Sequence, residues 1–374
     1  MTNESVATKH PLYEARKKVS AFLRKIKFDK WKAWIYLAPT LVLLAIFTIW
    51  PIFNTVKMAF TVYYDPDAPI YEYDENGNIV YDDDTGMISI KGYGKYKGYN
   101  IALDIANETE FEFGLNNFQE ILNYSGFFQI LQNTVILCVA TVPISTFLAL
   151  LIAVCLNAIK PLSRFLQTIF FLPYVTNSIE IGMVFAAMFN IVGVNEHNLD
   201  LSKSLGIINN VLGVLGIDPI NWINQGSGYW ANIAVMIIYI VWNALPFKIL
   251  ILLGGLQSVN NQYYDAAKVD GTSKARVFTR ITVPLLSPMI VYVVITGFIG
   301  GFKEYTSIVG IFGETMQPPG AGVGTPRLQT MVGYIYDKLG DSEGTASAAA
   351  ILLFLLIFAV TLVNLKISKK NTHY

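Results

Sequence analysis

Six stretches of the chain are apolar over a length that crosses a bilayer core about 30 Å thick, which takes roughly 20 residues as a helix. They fall at 33–60, 128–157, 165–192, 231–256, 284–312 and 345–367. This pattern predicts an all-α membrane protein with six transmembrane helices. Between them run a long polar loop (61–127), a short link (158–164), a loop at 193–230, a charged segment (257–283) and a Gly/Pro-rich loop (313–344). The expected organisation is a basic arm (1–32), a first helix (33–60), an inserted loop (61–127), a core of five helices (128–367) and a short tail (368–374). Five charged residues lie inside the apolar stretches, away from their ends: Lys57, Glu180, Lys248, Lys303 and Glu304. Lys248 and Lys57 read as side chains that snorkel toward the ends of their helices.

The positions of lysine and arginine set the orientation. The arm alone carries nine (Lys9, Arg16, Lys17, Lys18, Arg24, Lys25, Lys27, Lys30 and Lys32). With the short link, the charged segment, the tail and Lys366 at the end of the last span, that side of the membrane holds eighteen, against six in the three alternate loops. Both termini are therefore expected in the cytoplasm and loop 61–127 outside. That loop is acidic and rich in tyrosine, and Ile70–Tyr73 and Ile79–Tyr81 flank Asn76-Gly77 as a β-hairpin would. Asp74-x-Asn76-x-Asn78 faintly suggests a calcium loop, but Ile79 and Thr85 stand where glycine and glutamate would be needed, so a plain turn is the better reading.

Composition reinforces the membrane reading. Charged residues make up 14% and hydrophobic ones 53%, where soluble domains carry about 25% charged. The net charge of zero gives no sign of a nucleic-acid partner. Cys138 and Cys155 share one apolar run, about 25 Å apart on a helix, too far for a disulfide, and both read as packing residues. The first apolar run is too long for a signal-peptide core and is expected to be retained. No catalytic constellation, metal-ligand set or cofactor motif emerges. The three histidines are scattered, and Gly94-Lys95-Tyr96 lacks the upstream glycine of a phosphate-binding loop. Nucleotide energy would have to come from another subunit.

The charged segment contains Tyr264-Asp265-Ala266-Ala267-Lys268-Val269-Asp270-Gly271, followed by Ile281-Thr282-Val283-Pro284. Asn260 or Asn261 can cap a short helix, Asp265 favours its early turns, and Gly271 ends it. The small Ala266 and Ala267 offer a surface another protein can approach closely. A solvated loop with a frayed helix is the alternative. This segment resembles the EAA loop of binding-protein-dependent ABC importers, with Asp265 in place of the usual glutamate and Val283 in place of the usual leucine. Leu37-Ala38-Pro39 with Trp50-Pro51, Gly114-Leu115-Asn116-Asn117-Phe118, Phe171-Leu172-Pro173 and Gly344–Ala350 also resemble the sugar-type permeases.

The resemblance implies that Asp265, Ala266, Ala267, Asp270, Gly271, Ile281 and Pro284 form a coupling element seated on a cytoplasmic ATPase. It also implies two ATPase subunits, a second permease subunit and an extracytoplasmic solute-binding protein, in a bacterial cytoplasmic membrane. For the solute path, Glu180 and Trp242-Asn243 lie about 15 and 11 residues into their spans, near the midplane. Tyr174, Asn177 and Ser178 follow Pro173, and Lys303-Glu304-Tyr305 lies in the outer half of the fifth span. Aromatic faces beside amides and charges suit a polyhydroxylated ligand such as a sugar, and the resemblance places Tyr174, Ser178, Trp242, Asn243, Lys303 and Glu304 at or beside the sugar site. Interhelical hydrogen bonding and an internal Lys303–Glu304 pair are the structural alternative. Other functional readings are a permease for glycerol phosphate or a polyol, and a membrane-embedded enzyme. A third is an ion-coupled secondary transporter, which would want inverted repeats and discontinuous helices, neither of which the pattern shows.

Overall fold

The computed structural model describes residues 28–61, 68–71, 80–81, 87, 90–94, 98–100, 105–107, 113–159, 163–190, 206–318, 328–340 and 342–371. The chain divides into two units, residues 1–57 and 58–374. The first contains α1 (Phe28–Leu44), a wide π-helical turn (Ala45–Ile49) and most of α2 (Trp50–Ala59). The wide turn lies just ahead of Pro51, whose ring cannot donate to the carbonyl four residues earlier. Residues 34–53 are exposed throughout, as an apolar helix in lipid can be.

The second unit opens with a helix end that is capped from a distance. Asn117 Nδ2 donates to the carbonyls of Ala59 (3.0 Å) and Thr61 (2.9 Å). Inside loop 61–127 four short strands form one sheet: β1 (Ala68–Tyr71), β2 (Ile90–Gly94), β3 (Gly98–Asn100) and β4 (Ile105–Asn107), in the order β2-β1-β4-β3. The expected hairpin is corrected by this sheet. Tyr71 pairs with Ile90 and Ile70 with Gly92, and β1 also runs parallel to β4. The Asn76-Gly77 turn and the calcium-loop positions lie outside the described residues.

The remaining elements are α3 (Asn116–Asn123), α4 (Phe127–Ala158), α5 (Ser163–Val175), α6 (Ser178–Phe189), α7 (Ile207–Val214), α8 (Tyr229–Ser258), α9 (Gln262–Val269), α10 (Lys274–Val277), a π turn (Phe278–Thr282), α11 (Val283–Leu285), α12 (Ser287–Gly301), α13 (Thr306–Phe312), α14 (Met331–Leu339) and α15 (Glu343–Asn371). The protein is thus an almost wholly helical multi-pass membrane protein. Trp34–Ala59, α4, α8 and α15 are unbroken helices long and apolar enough to span.

The predicted third and fifth spans are not continuous. In the third, α5 and α6 are separated at Thr176-Asn177. The Thr176 hydroxyl takes the Leu172 carbonyl (3.1 Å), and Asn177 Oδ1 accepts from the Ile179 N–H (3.0 Å) to start a new helix. In the fifth, Lys274–Leu285 and Ser287–Gly301 meet at 69°. Pro288 in the first turn of α12 suits a helix start but not a helix interior. A second break at Phe302–Tyr305 precedes α13. Such breaks are tolerated where protein or a cavity, rather than lipid, meets the freed backbone.

Helices cannot be driven together by burying apolar area from lipid, so close approach and buried hydrogen bonds matter more. Gly182 of α6 lies against Gly310 of α13, and a Cβ on Gly182 would stand 2.7 Å from the Gly310 Cα. Three buried clusters result. Tyr239, Met236 and Phe189 centre one, Ile121, Met331 and Ala348 the second, and Ala149, Leu252 and Leu286 the third. Asn117 meets Gly344, and Thr345 donates to Glu120 Oε2 (2.9 Å), so two of the sequence motifs hold each other. The two cysteines are free; Cys138 is buried, but Cys155 is exposed rather than packed.

Candidate functional site

Helices α4, α5, α8 and α12 enclose a cavity of about 290 Å³. It exists because α12 presents Gly297, Gly300 and Gly301 on one face, at helical spacings of three and four. Opposite them stand Asn243 and Phe247 of α8, and Tyr174 lies stacked on Phe247 with ring centroids 5.9 Å apart. Glu304, in the break after α12, completes the polar wall with the hydroxyls of Thr141, Ser145 and Thr296. Its Oε1 accepts from the Ser307 N–H at 3.2 Å.

Lys248 is the unexpected member. It does not snorkel: it is 4% exposed and lines the cavity. Its ammonium donates to the Val142 carbonyl (3.2 Å), Ser145 Oγ (2.7 Å) and Thr146 Oγ1 (2.9 Å). An ammonium has three protons, and all three are placed. The two hydroxyls can accept because each donates backward along α4, Thr146 to Val142 and Ser145 to Thr141. Val142, Ser145 and Thr146 fall at helical spacings of three and four, so one face of α4 presents all three acceptors. Ser145-Thr146 is visible in the sequence, but nothing there links it to Lys248, 103 and 102 residues further on.

The other predicted residues divide. Tyr174, Asn243 and Glu304 line the cavity, and Asn243 Nδ2 reaches Ser178 Oγ at 3.4 Å. Asn177 is a helix cap, and Glu180 is exposed. Trp242 packs into the first cluster, with its ring against Phe185 (5.0 Å) and Tyr239 (6.5 Å), and is not on the cavity wall. Lys303 is exposed and forms no ion pair with Glu304 among the described residues. Tyr305 stacks on Tyr336 at 4.5 Å.

The segment 257–283 is built separately. Asn260 Oδ1 accepts from the Gln262 N–H (3.0 Å) ahead of α9. The helix closes with Thr272 N–H to the Ala267 carbonyl (3.0 Å) and Gly271 N–H to Lys268 (3.1 Å), with Gly271 at φ +64. That is a Schellman closure, which calls for glycine at the left-handed position. Asp265 pairs with Lys268 at 2.9 Å, with both side chains mostly exposed. Ala266, Val269 and Asp270 face outward, whereas Ala267 is buried against its own chain and offers no docking surface. Ile281 and Pro284 are half-buried where the chain turns back into α12.

Broken helices around a mainly apolar cavity with a few convergent polar groups are an arrangement that suits a membrane permease. The chain belongs to the binding-protein-dependent transport system inner membrane component family, whose family model matches residues 122–372. It is 31% identical to the arabinooligosaccharides transport system permease protein AraP of Halalkalibacterium halodurans, over 67% of this chain and 74% of that one. It is 30% identical to the trehalose/maltose transport system permease protein MalF of Thermococcus litoralis, over 68% and 79%. The lactose transport system permease protein LacF of Rhizobium radiobacter is 26% identical over 88% and 91%. The fold is shared with a chain of a bacterial ABC transporter involved in the import of the acidic polysaccharide alginate. That chain matches at a TM-score of 0.63 and 21% identity, over 94% of this chain and all of that one. Membership places the chain among ABC permease components despite its discontinuous helices, the feature expected of an ion-coupled carrier.

Proposed function

We propose that this chain is one permease subunit of an ATP-driven importer of a carbohydrate in a bacterial cytoplasmic membrane. It crosses the membrane six times with both termini inside. It pairs with a second permease subunit, two cytoplasmic ATPase subunits and an extracytoplasmic solute-binding protein, which loop 61–127 meets at the outer face. The cavity carries the reading: an aromatic ring, an amide, hydroxyls and a carboxylate converge there in a volume near the small end of ligand pockets. Such a lining covers the C–H face of a sugar ring and takes its hydroxyls. Three relatives with oligosaccharide or disaccharide transport in their names support the carbohydrate class.

In this reading Tyr174, Asn243 and Glu304 contact the solute, with Ser178 holding Asn243. Asn177, Glu180 and Tyr305 shape the path, and Trp242 and Lys303 border it. Asp265, Ala266, Asp270 and Gly271 seat α9 on an ATPase subunit, while Ala267, Ile281 and Pro284 position that helix from behind. The test is uptake by the whole complex in proteoliposomes. Transport should need ATP and the binding protein, and Tyr174→Ala or Asn243→Leu should reduce it at normal assembly. Uptake that persists without ATP would overturn the reading.

A further inference from the structure

A second cavity, about 270 Å³, lies between the turn that follows α13 and the face of α14, lined by Glu314, Thr315, Met316, Gln317, Gln329 and Asp337. Its lining is rich in oxygen: two carboxylates, a hydroxyl and two side-chain amides. Gln329 is 3% exposed, and among the described residues its Oε1 has no hydrogen-bond partner. A buried acceptor left without a donor is costly, so such an atom calls for an explanation.

The backbone around Gln329 is pinned. Asn133 Nδ2 donates to the Gln329 carbonyl (2.9 Å), and Tyr229 Oη in turn donates to Asn133 Oδ1 (2.7 Å). The Leu328 N–H donates to the Met316 carbonyl (3.0 Å), and Thr330 donates to the Glu304 carbonyl (2.8 Å) while capping α14. Glu314 and Asp337 are exposed, and no ion pair engages either carboxylate among the described residues.

We propose that this cavity binds a hard divalent cation, with calcium as the fitting ion. The Glu314 and Asp337 carboxylates and Gln329 Oε1 are its protein ligands. Calcium takes six to eight oxygens from carboxylates, amide carbonyls and water at flexible geometry. Two carboxylates balance its charge, and Gln329 supplies the acceptor that otherwise has no use. Thr315 and Gln317 offer further oxygens, and the volume leaves room for water in the remaining positions. Among the described residues the lining has no histidine or cysteine, so it does not suit zinc or copper. Magnesium, which demands tight octahedral geometry, fits a roomy, irregular site less well. A bound ion would tie the end of α13 to α14, and through Thr330 this junction touches the backbone of Glu304 in the transport cavity. The proposal stands apart from the identity of the transported solute.

The experiment uses the intact detergent-purified complex, stripped with chelator and titrated with terbium as a luminescent calcium surrogate. Tyr336, beside Asp337 and stacked on Tyr305 at 4.5 Å, is placed to sensitise the emission. The expected result is a saturable signal displaced by calcium at about 10⁻⁴–10⁻³ M, the range of extracellular sites. Magnesium should displace it less well, and the Glu314→Gln/Asp337→Asn double variant should lose it at unchanged assembly. Gln329→Glu should bind terbium more tightly. Without the ion, its added buried carboxylate should lower the thermal midpoint, and calcium should restore it. An identical calcium-displaceable signal in the double variant would overturn the proposal, as would no signal in the wild type. Should the double variant fail to assemble, a Gln329→Glu protein whose thermal midpoint ignores calcium overturns it as well. A partner's basic side chain seated between the carboxylates would give that same negative result.

Discussion

The exposed helix α9 and the cavity wall around Lys248 are both polar constructions, but they are held in opposite ways. In α9 each contact is local: Asp265 to Lys268, Asn260 to Gln262, and the Gly271 closure; the longest reach is from Tyr264 to Thr282, 18 residues on. At the cavity, Lys248 bonds to residues 102 to 106 positions away. A locally held element keeps its shape when a surface residue changes, so substitutions there read out on docking. A wall assembled across helices couples chemistry to folding, so substitutions there read out on stability first.

The largest effect should come from Lys248→Glu. A carboxylate would face the Val142 carbonyl and two hydroxyls whose protons are engaged with their own helix, a loss of about 3–5 kcal/mol by analogy with broken buried pairs. Yield and thermal midpoint of the purified complex check it, and a wild-type midpoint would break the comparison. Lys248→Met should be milder, because Ser145 and Thr146 keep their bonds to their own helix. Trp242→Ala comes next. Its place in the aromatic cluster with Phe185 and Tyr239 predicts a loss of about 3 kcal/mol, seen as a lower thermal midpoint together with reduced uptake.

Gly271→Trp should leave insertion and the rest of the fold intact. A side chain at φ +64 costs about 1–2 kcal/mol, enough to deplete the docked helix roughly tenfold. Uptake at fixed expression measures it, and full transport would count against docking. Gly297→Ala places a methyl 3.1 Å from both Lys248 Nζ and Val142 Cγ1; overpacking of about 1 kcal/mol should narrow the cavity and raise the solute concentration needed for half-maximal uptake. Asp265→Ala should be the smallest, under about 0.5 kcal/mol, because its ion pair is exposed. A measurable drop in the thermal midpoint would show that α9 is less self-contained than its contacts indicate.

The same division explains what the sequence disclosed. The cap at Asn260, the stop at Gly271 and the four long helices rest on neighbouring residues, and reading along the chain finds them. Thr176-Asn177 and Pro288 break two apolar runs whose hydropathy is uninterrupted, so length alone merged each into one span. The Ile70–Tyr71 segment is a strand, but β2 and β4 sit beside it, partners that a turn signal at Asn76-Gly77 does not reveal. Counting depth along one helix puts Lys248 near the helix end. Its acceptors sit on another, at a spacing that becomes meaningful only once α4 and α8 are known to pack. Trp242 and Asn243 adjoin in sequence and so point to different sides of α8, which separates a core residue from a cavity residue.

The central claim is that the cavity and α9 do separate jobs in one ATP-driven permease. The direct measurement is solute uptake and binding-protein-stimulated ATP hydrolysis, recorded together in proteoliposomes for Asn243→Leu and Gly271→Trp. Both variants should lose uptake, Asn243→Leu while retaining stimulated hydrolysis and Gly271→Trp while losing the stimulation. Stimulated hydrolysis that responds alike in the two variants, or uptake that survives the loss of Asn243, would contradict the account.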